Sequence, residues 1–277
     1  MRVLILGASG LLGFSIYSIL EKNKKVKVFG TFRNLKKKNK FYSKQIIHCE
    51  NLSNYNELKT IILNIKPNYI INCISSKDTK DLKKNIQCYY YVNKNIFFLH
   101  NIFDFFFINI STDGVFNGQK KNEYTENDTC SATDIYGFVK YLSEFKHKKT
   151  LNIRTSFFGI DEFNKKKGLY NWIVQNENKI CYGFSNYFFS PVTNYEFAKF
   201  ISHFINNKMR NNGIINFSGC KISKYHLLKK INDIKKLNIL ILKKKTKRIN
   251  RTLCQKNFKI LYNFSIQSID NMIKEIK

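Results

Sequence analysis

The chain begins with an apolar run, Val3-Leu4-Ile5-Leu6, that passes directly into Gly7-Ala8-Ser9-Gly10-Leu11-Leu12-Gly13. This pattern predicts a strand, a glycine-rich turn and a helix in immediate succession. Strands are predicted at Arg2–Leu6, Val26–Gly30, Tyr69–Cys73, Phe105–Ile110 and Leu151–Arg154. Helical spacing falls between them, at Leu11–Lys22, Tyr55–Ile65, Lys83–Asn101 and Tyr136–His147. Phe105–Ile110 is almost continuously apolar, as expected of a strand covered on both faces. The alternation implies an α/β fold with a doubly wound parallel sheet. Beyond Thr155 it loosens: aromatic and polar residues mix through Phe157–Phe189, a helix is predicted at Asn194–Asn207 and a strand at Gly213–Phe217. Ile260–Ile276 again has helical spacing. A nucleotide-binding domain over residues 1–155 is therefore expected, with a smaller substrate-binding lobe over 156–277 and a segment near 187–207 returning to the first domain.

No charged residue occurs from Val3 to Leu20, and with Arg2 in front this stretch has the flank of a signal peptide or membrane anchor. The three glycines and Ser9, Ser15 and Ser18 interrupt it at the spacing that a phosphate-binding loop needs, so the loop is preferred. In that reading Gly7 makes the tight turn, Gly10 lets the backbone approach a pyrophosphate, and Gly13 lets the helix pack on the strand. No membrane insertion is expected.

Composition narrows the classes. A length of 277 residues, 43% hydrophobic, suffices for one large domain or a nucleotide domain with a smaller partner. The seven cysteines are odd in number, widely spaced and without a Cys-x-x-Cys pair, which argues against a disulfide framework or a zinc site and for a reducing cytoplasm. The formal charge of +29 raises nucleic-acid binding, most of all at Lys243-Lys244-Lys245-Thr246-Lys247-Arg248. Only six of the 48 basic residues are arginine, however, and the lysines are scattered. Base and phosphate forks favour arginine, so no specific nucleic-acid partner is expected.

Tyr136 and Lys140 stand four apart, on one helix face. Four other tyrosine–lysine pairs share that spacing, at Tyr55/Lys59, Tyr90/Lys94, Tyr195/Lys199 and Tyr225/Lys229, so the spacing alone decides nothing. Position singles out Tyr136. Ser111-Thr112-Asp113 follows the end of the Phe105–Ile110 strand, where an open α/β sheet binds its ligands, and the polar stretch to Asp134 is long enough to return the chain to that edge.

With these motifs in order, together with Pro67–Ser75, Ile110–Phe116, Tyr136/Lys140/Glu144, Ile153–Ser156 and Ser190–Thr193, the chain resembles the extended short-chain dehydrogenase/reductase superfamily. Within it, the chain is similar to the dTDP-4-dehydrorhamnose reductase-like sugar-nucleotide family. The resemblance implies a Rossmann domain that binds a nicotinamide cofactor through Gly7, Ser9, Gly10, Leu11, Leu12, Gly13, Asn51, Leu52, Cys73, Ile74 and Ser75. It implies that Tyr136 is the general acid, that Lys140 binds the nicotinamide ribose, and that Thr112 hydrogen-bonds the reacting oxygen. The end of the second strand, Phe29-Gly30-Thr31-Phe32-Arg33, lacks the acidic residue usual in NAD enzymes; Arg33, helped by Lys36 to Lys38, favours NADPH over NADH.

A small-molecule nucleotide-sugar substrate is implied, with Asp113, Trp172 and Asn186 near the sugar or base and Arg248 or Arg251 near the diphosphate. The expected activity is reduction of a 4-keto-6-deoxy sugar in surface-polysaccharide precursor synthesis; a homodimer is a further expectation. The alternatives are a sugar-nucleotide epimerase, or a non-catalytic nucleotide-binding subunit like that of methionine adenosyltransferase. Three departures from the family pattern stand out: Asn51-Leu52 in place of an acidic residue, the bulky Ile74, and Gly114 where many members carry tyrosine.

Overall fold

The structure is a computed structural model that describes residues 1–34, 45–74, 86–163 and 168–276. Ser75 and Lys36 to Lys38 lie outside the described residues. Its centre is a sheet of seven parallel strands: β1 Arg2–Leu6, β2 Lys27–Phe32, β3 Ile46–His48, β4 Tyr69–Asn72, β5 Phe106–Ile110, β6 Thr150–Thr155 and β7 Gly213–Phe217. They run in the order β3-β2-β1-β4-β5-β6-β7. The order reverses between β1 and β4, the switch point whose carboxyl-end crevice binds ligands in open α/β sheets.

The period of two explains why these strands are apolar throughout. Val3, Ile5, Phe106 and Ile108 point to a core shared with α1 (Leu11–Glu21), whereas Leu4, Leu6, Ile70 and Phe107 point to a second core with α2 (Tyr55–Ile65) and α3 (Val92–Leu99). Asn54 caps α2 by accepting the N–H groups of Asn56 and Glu57. A π turn at Gln87–Tyr91 leads into α3, within the helix expected at Lys83–Asn101.

Several boundaries differ from expectation. Strand β2 runs two residues past Gly30, because Thr31 and Phe32 pair with Ile47 and His48 of the short edge strand β3, which its sequence does not announce. Helix α4 (Ile135–Leu142) stops short of His147: Ser143 closes its last turn with its N–H and hydroxyl on Val139 O, and this frees Glu144 to turn inward.

Beyond β6 the chain forms α5 (Leu169–Val174), α6 (Asn194–Asn206) and α7 (Lys224–Lys235), with short strand pairs between them. Helix α6 lies along α1, where Asn194 donates to Ser15 Oγ at 2.7 Å. The span Ile260–Ile276 is two helices, α8 (Lys256–Leu261) and α9 (Ile269–Glu275). Between them the Gln267 N–H donates to the buried Glu196 carboxylate, and Ser268 starts α9 by capping Asn271. A single helix through Gln267 would forfeit the first of these bonds.

Candidate active site

The glycine loop sits at the crevice. Gly7 has φ 79°, and its N–H donates to Thr31 Oγ1 at 3.0 Å. A Cβ on Gly7 would lie 3.2 Å from the Ile74 backbone, and one on Gly13 would lie 2.3 Å from Gly7 O. Both positions therefore need glycine for close approach. Helix α1 starts at Gly10 with no side-chain cap, so the loop presents unspent first-turn N–H groups. Ser9, Gly10 and Leu11 are partly exposed there, whereas the Leu12 side chain belongs to the core and only its backbone is available. This cradle fits a cofactor pyrophosphate.

On the β2 side, Thr31 is buried and supports the loop, Phe32 packs against the His48 ring, and Arg33 is the first exposed residue. Asn51 accepts the Ser53 N–H in an exposed turn, and Leu52 leans on the second core. Cys73 is buried at the end of β4, and burial pushes its thiol up to about 12. Ile74 donates its N–H to Asn72 Oδ1.

Thr112 stands two residues past the end of β5 and caps a single 3-10 turn, Asp113–Val115. Its hydroxyl accepts the Gly114 N–H at 3.1 Å and donates to Asp113 Oδ1 at 3.2 Å. Gly137 brings Tyr136 and Lys140 to this turn. A Cβ on Gly137 would lie 2.1 Å from Gly114 O, so glycine alone lets α4 settle on it. Tyr136 is partly exposed and meets the Tyr89 ring edge-on at 6.0 Å. Lys140 is buried with its Nζ donating to Ile110 O at 2.9 Å and Ile74 O at 3.3 Å, 4.4 Å above the Tyr89 ring centroid. Burial lowers its ammonium pKa to about 8, against the opposing pull of Cys73 and Glu144. Lysine 140 thus bridges the carboxyl ends of β4 and β5.

A buried ion pair lies behind the trio. Arg154 of β6 meets Glu144 at 2.7 Å through Nη2 and at 3.0 Å through Nε, and Ser111 donates its hydroxyl to the same carboxylate. Arg154 also donates to Glu126 O and the Cys130 thiol and stacks over Phe116. Glu144 was visible in the sequence only as part of the family motif.

The residues expected near a substrate do not all come together. Asp113 is held at the 3-10 turn, where burial raises its carboxyl pKa against the pulls of Arg251, Thr112, Lys224 and Ser156. The Arg251 Nη2 donates to Thr133 Oγ1 at 3.3 Å, and a Cβ on Gly114 would lie 3.8 Å from its Nη1. Among the described residues its buried Nε has no partner. Arg248 is exposed on the preceding turn. Asn186 spends its amide on Thr246, accepting that residue's N–H and donating to its carbonyl. Trp172 is 40% exposed on α5. Tyr187, beside Arg251 and with its hydroxyl pKa raised by burial, and Lys224, 3.7 Å from the Tyr187 ring centroid, had no signal in sequence spacing because a short strand and the first residue of α7 bring them in.

The profile of the family described as RmlD substrate binding domain matches residues 1–239. The chain belongs to that family. Three solved structures show the same fold across the whole RmlD-family chain. A hypothetical dTDP-4-dehydrorhamnose reductase from Sulfolobus tokodaii is 24% identical, with 98% of this chain and 99% of that one covered and a TM-score of 0.81. A dTDP-4-dehydrorhamnose reductase from Bacillus anthracis, solved with NADP, is 18% identical over 99% and 98%, also with a TM-score of 0.81. A dTDP-glucose 4,6-dehydratase from the same organism, solved with NAD, is 15% identical over 100% and 95%, again at 0.81. A search of curated proteins gave no match. This RmlD-family protein therefore has the fold of these reductase and dehydratase structures.

Two outcomes follow from the geometry. Arg154→Met leaves the Glu144 charge buried without its partner and lowers unfolding stability by about 3–5 kcal/mol in urea denaturation, while Glu144→Met in the same chain restores most of it. Above pH of about 8 Lys140 becomes a neutral amine, and if it binds the nicotinamide ribose as the resemblance implies, cofactor Kd rises with pH through that value. Lys140→Met binds weakly and without that pH step; a step of equal size in the variant contradicts the assignment.

Proposed function

We propose that the protein is a cytoplasmic NADPH-dependent reductase of a nucleoside-diphosphate-linked 4-keto-6-deoxy sugar in surface-polysaccharide precursor synthesis. The observation that carries this reading is the convergence of Thr112, Tyr136 and Lys140 on the crevice faced by the uncapped α1. Residues 1–155 hold the cofactor side in this reading, and 156–277 form the substrate lobe with the segment near 187–207 turned back toward α1.

The pyrophosphate is held by the loop from Gly7 to Gly13, the nicotinamide ribose by Tyr136 and Lys140, and the adenine by Asn51 and Leu52, with Cys73 and Ile74 beside the cofactor. Arg33 meets the 2′-phosphate, for which an exposed arginine after β2 is suited where a carboxylate is not. The nicotinamide supplies hydride to the keto carbon when bound. Thr112 orients the carbonyl oxygen, for which its hydroxyl exchanges its bond to Asp113. Tyr136 gives its phenolic proton to that oxygen as it gains charge. The Lys140 ammonium stabilises the phenolate left behind. Arg251 is the diphosphate residue of choice, because its Nε is unspent and its guanidinium borders Gly114, whereas Arg248 faces away into solvent.

The test is cofactor oxidation with dTDP- and UDP-linked 4-keto sugars and either NADPH or NADH. Tyr136→Phe lowers kcat by about 10²–10⁴ with cofactor binding retained, and Arg33→Ala weakens NADPH far more than NADH. No oxidation across the panel with cofactor bound contradicts the reductase reading. Undiminished biological function in Tyr136→Phe favours the non-catalytic subunit instead.

A further inference from the structure

The lobe exposes a surface that the chemistry above does not use. Ile180–Phe184 and Leu240–Lys244 form a two-stranded parallel ladder. Its inner residues are tied down: Cys181 is buried, and Gly183 lies so close to α7 that a Cβ would be 2.7 Å from Tyr225 Cα. The period of two then turns Ile180, Tyr182, Leu240 and Leu242 outward. They are 60%, 59%, 57% and 38% exposed. Register sets Leu240 opposite Ile180 and Leu242 opposite Tyr182, which makes the four a single apolar patch.

The same ladder continues into Lys243-Lys244-Lys245-Thr246-Lys247-Arg248, every residue of which is exposed, and Lys179 flanks the other strand. Lys244 lies 5.8 Å from the Tyr182 ring centroid. This basic turn is anchored. The Ser185 N–H donates to Lys244 O at 3.0 Å, Asn186 clamps Thr246 on both sides, and Ile249 pairs with Tyr187. Across residues 177–186 and 238–251 the only acidic residue is Glu177.

We propose that this patch docks the protein peripherally on a membrane surface rich in anionic phospholipid. Tyr182, Ile180, Leu240 and Leu242 settle at headgroup level, and the lysine turn pairs with lipid phosphates. Charge complementarity selects this occupant. A second copy would set one polybasic turn against another, at a Coulombic cost. A nucleic-acid strand would leave three aliphatic side chains without a stacking role and would find a single arginine in the run. Among the described residues no helix is long and apolar enough to cross a membrane, so the contact is interfacial.

Sedimentation of the full chain with vesicles tests the proposal. Vesicles of phosphatidylcholine alone are compared, at physiological salt, with an equal mixture of phosphatidylcholine and phosphatidylglycerol. Binding is expected only to the mixture. Lys244→Gln, Lys245→Gln and Lys247→Gln together reduce it about a hundredfold, and Ile180→Ser, Leu240→Ser and Leu242→Ser together roughly tenfold. Removing the same charge elsewhere, by Lys22→Gln, Lys24→Gln and Lys25→Gln, leaves it unchanged, and thermal melts match the parent because all these side chains are exposed. Three results overturn the proposal: no binding to mixed vesicles, an equal loss in the control triple, or capture of poly(U) RNA that depends on the same patch while vesicles are ignored.

Discussion

The buried pair of Arg154 and Glu144 is the constraint on which the site depends. It joins three elements that are remote in sequence: the end of β5 through Ser111, the exit of α4 through Glu144, and β6 through Arg154. Arg154 then reaches the loop after Thr112 through Glu126, Cys130 and Phe116. An ion pair with both side chains almost wholly withdrawn from water adds little net stability, because desolvation offsets the attraction. Its value is geometric. With β5, β6 and α4 held to one another, the close contact of Gly137 on Gly114 O fixes where Tyr136 stands relative to Thr112.

Charge works at two scales in this chain. The surplus of lysine at the surface is compatible with attraction of any polyanion and selects none by itself. Lys140 is different, since it is buried between two strand-end carbonyls and an aromatic ring, and burial makes its proton comparatively easy to lose. A cation of that kind gains most from an anionic or phenolate neighbour. Arg251 borders the space that Gly114 leaves through its Nη1, while its buried Nε has no partner among the described residues.

Much of this was legible in the sequence for a physical reason. A doubly wound sheet writes itself as apolar runs alternating with helical periods, so β1, β4, β5, β6 and the helices α1 and α2 were readable within a residue or two. The glycine loop was readable because close backbone contact leaves glycine no substitute. What escaped depends on long-range pairing. Strand β3 is three residues at a sheet edge, α4 ends where Ser143 and Glu144 find partners, and the C-terminal helix breaks where Glu196 accepts Gln267. Among the candidate residues, Asn186 carries suitable chemistry but is occupied by Thr246, while Tyr187 enters from a short strand and Lys224 from the start of α7, which no local pattern could place.

The central claim is that the crevice delivers hydride from a nicotinamide to a keto carbon, with Tyr136 supplying the proton. It is tested most directly by isotope transfer. The protein is given NADPH carrying deuterium on the nicotinamide C4 face that it uses, together with a nucleoside-diphosphate 4-keto-6-deoxy sugar, and the product is read by NMR. The account predicts deuterium at sugar C4 in a reduced product, formed in step with cofactor oxidation. A product epimerised without deuterium, or cofactor bound and never oxidised by any such sugar, contradicts it.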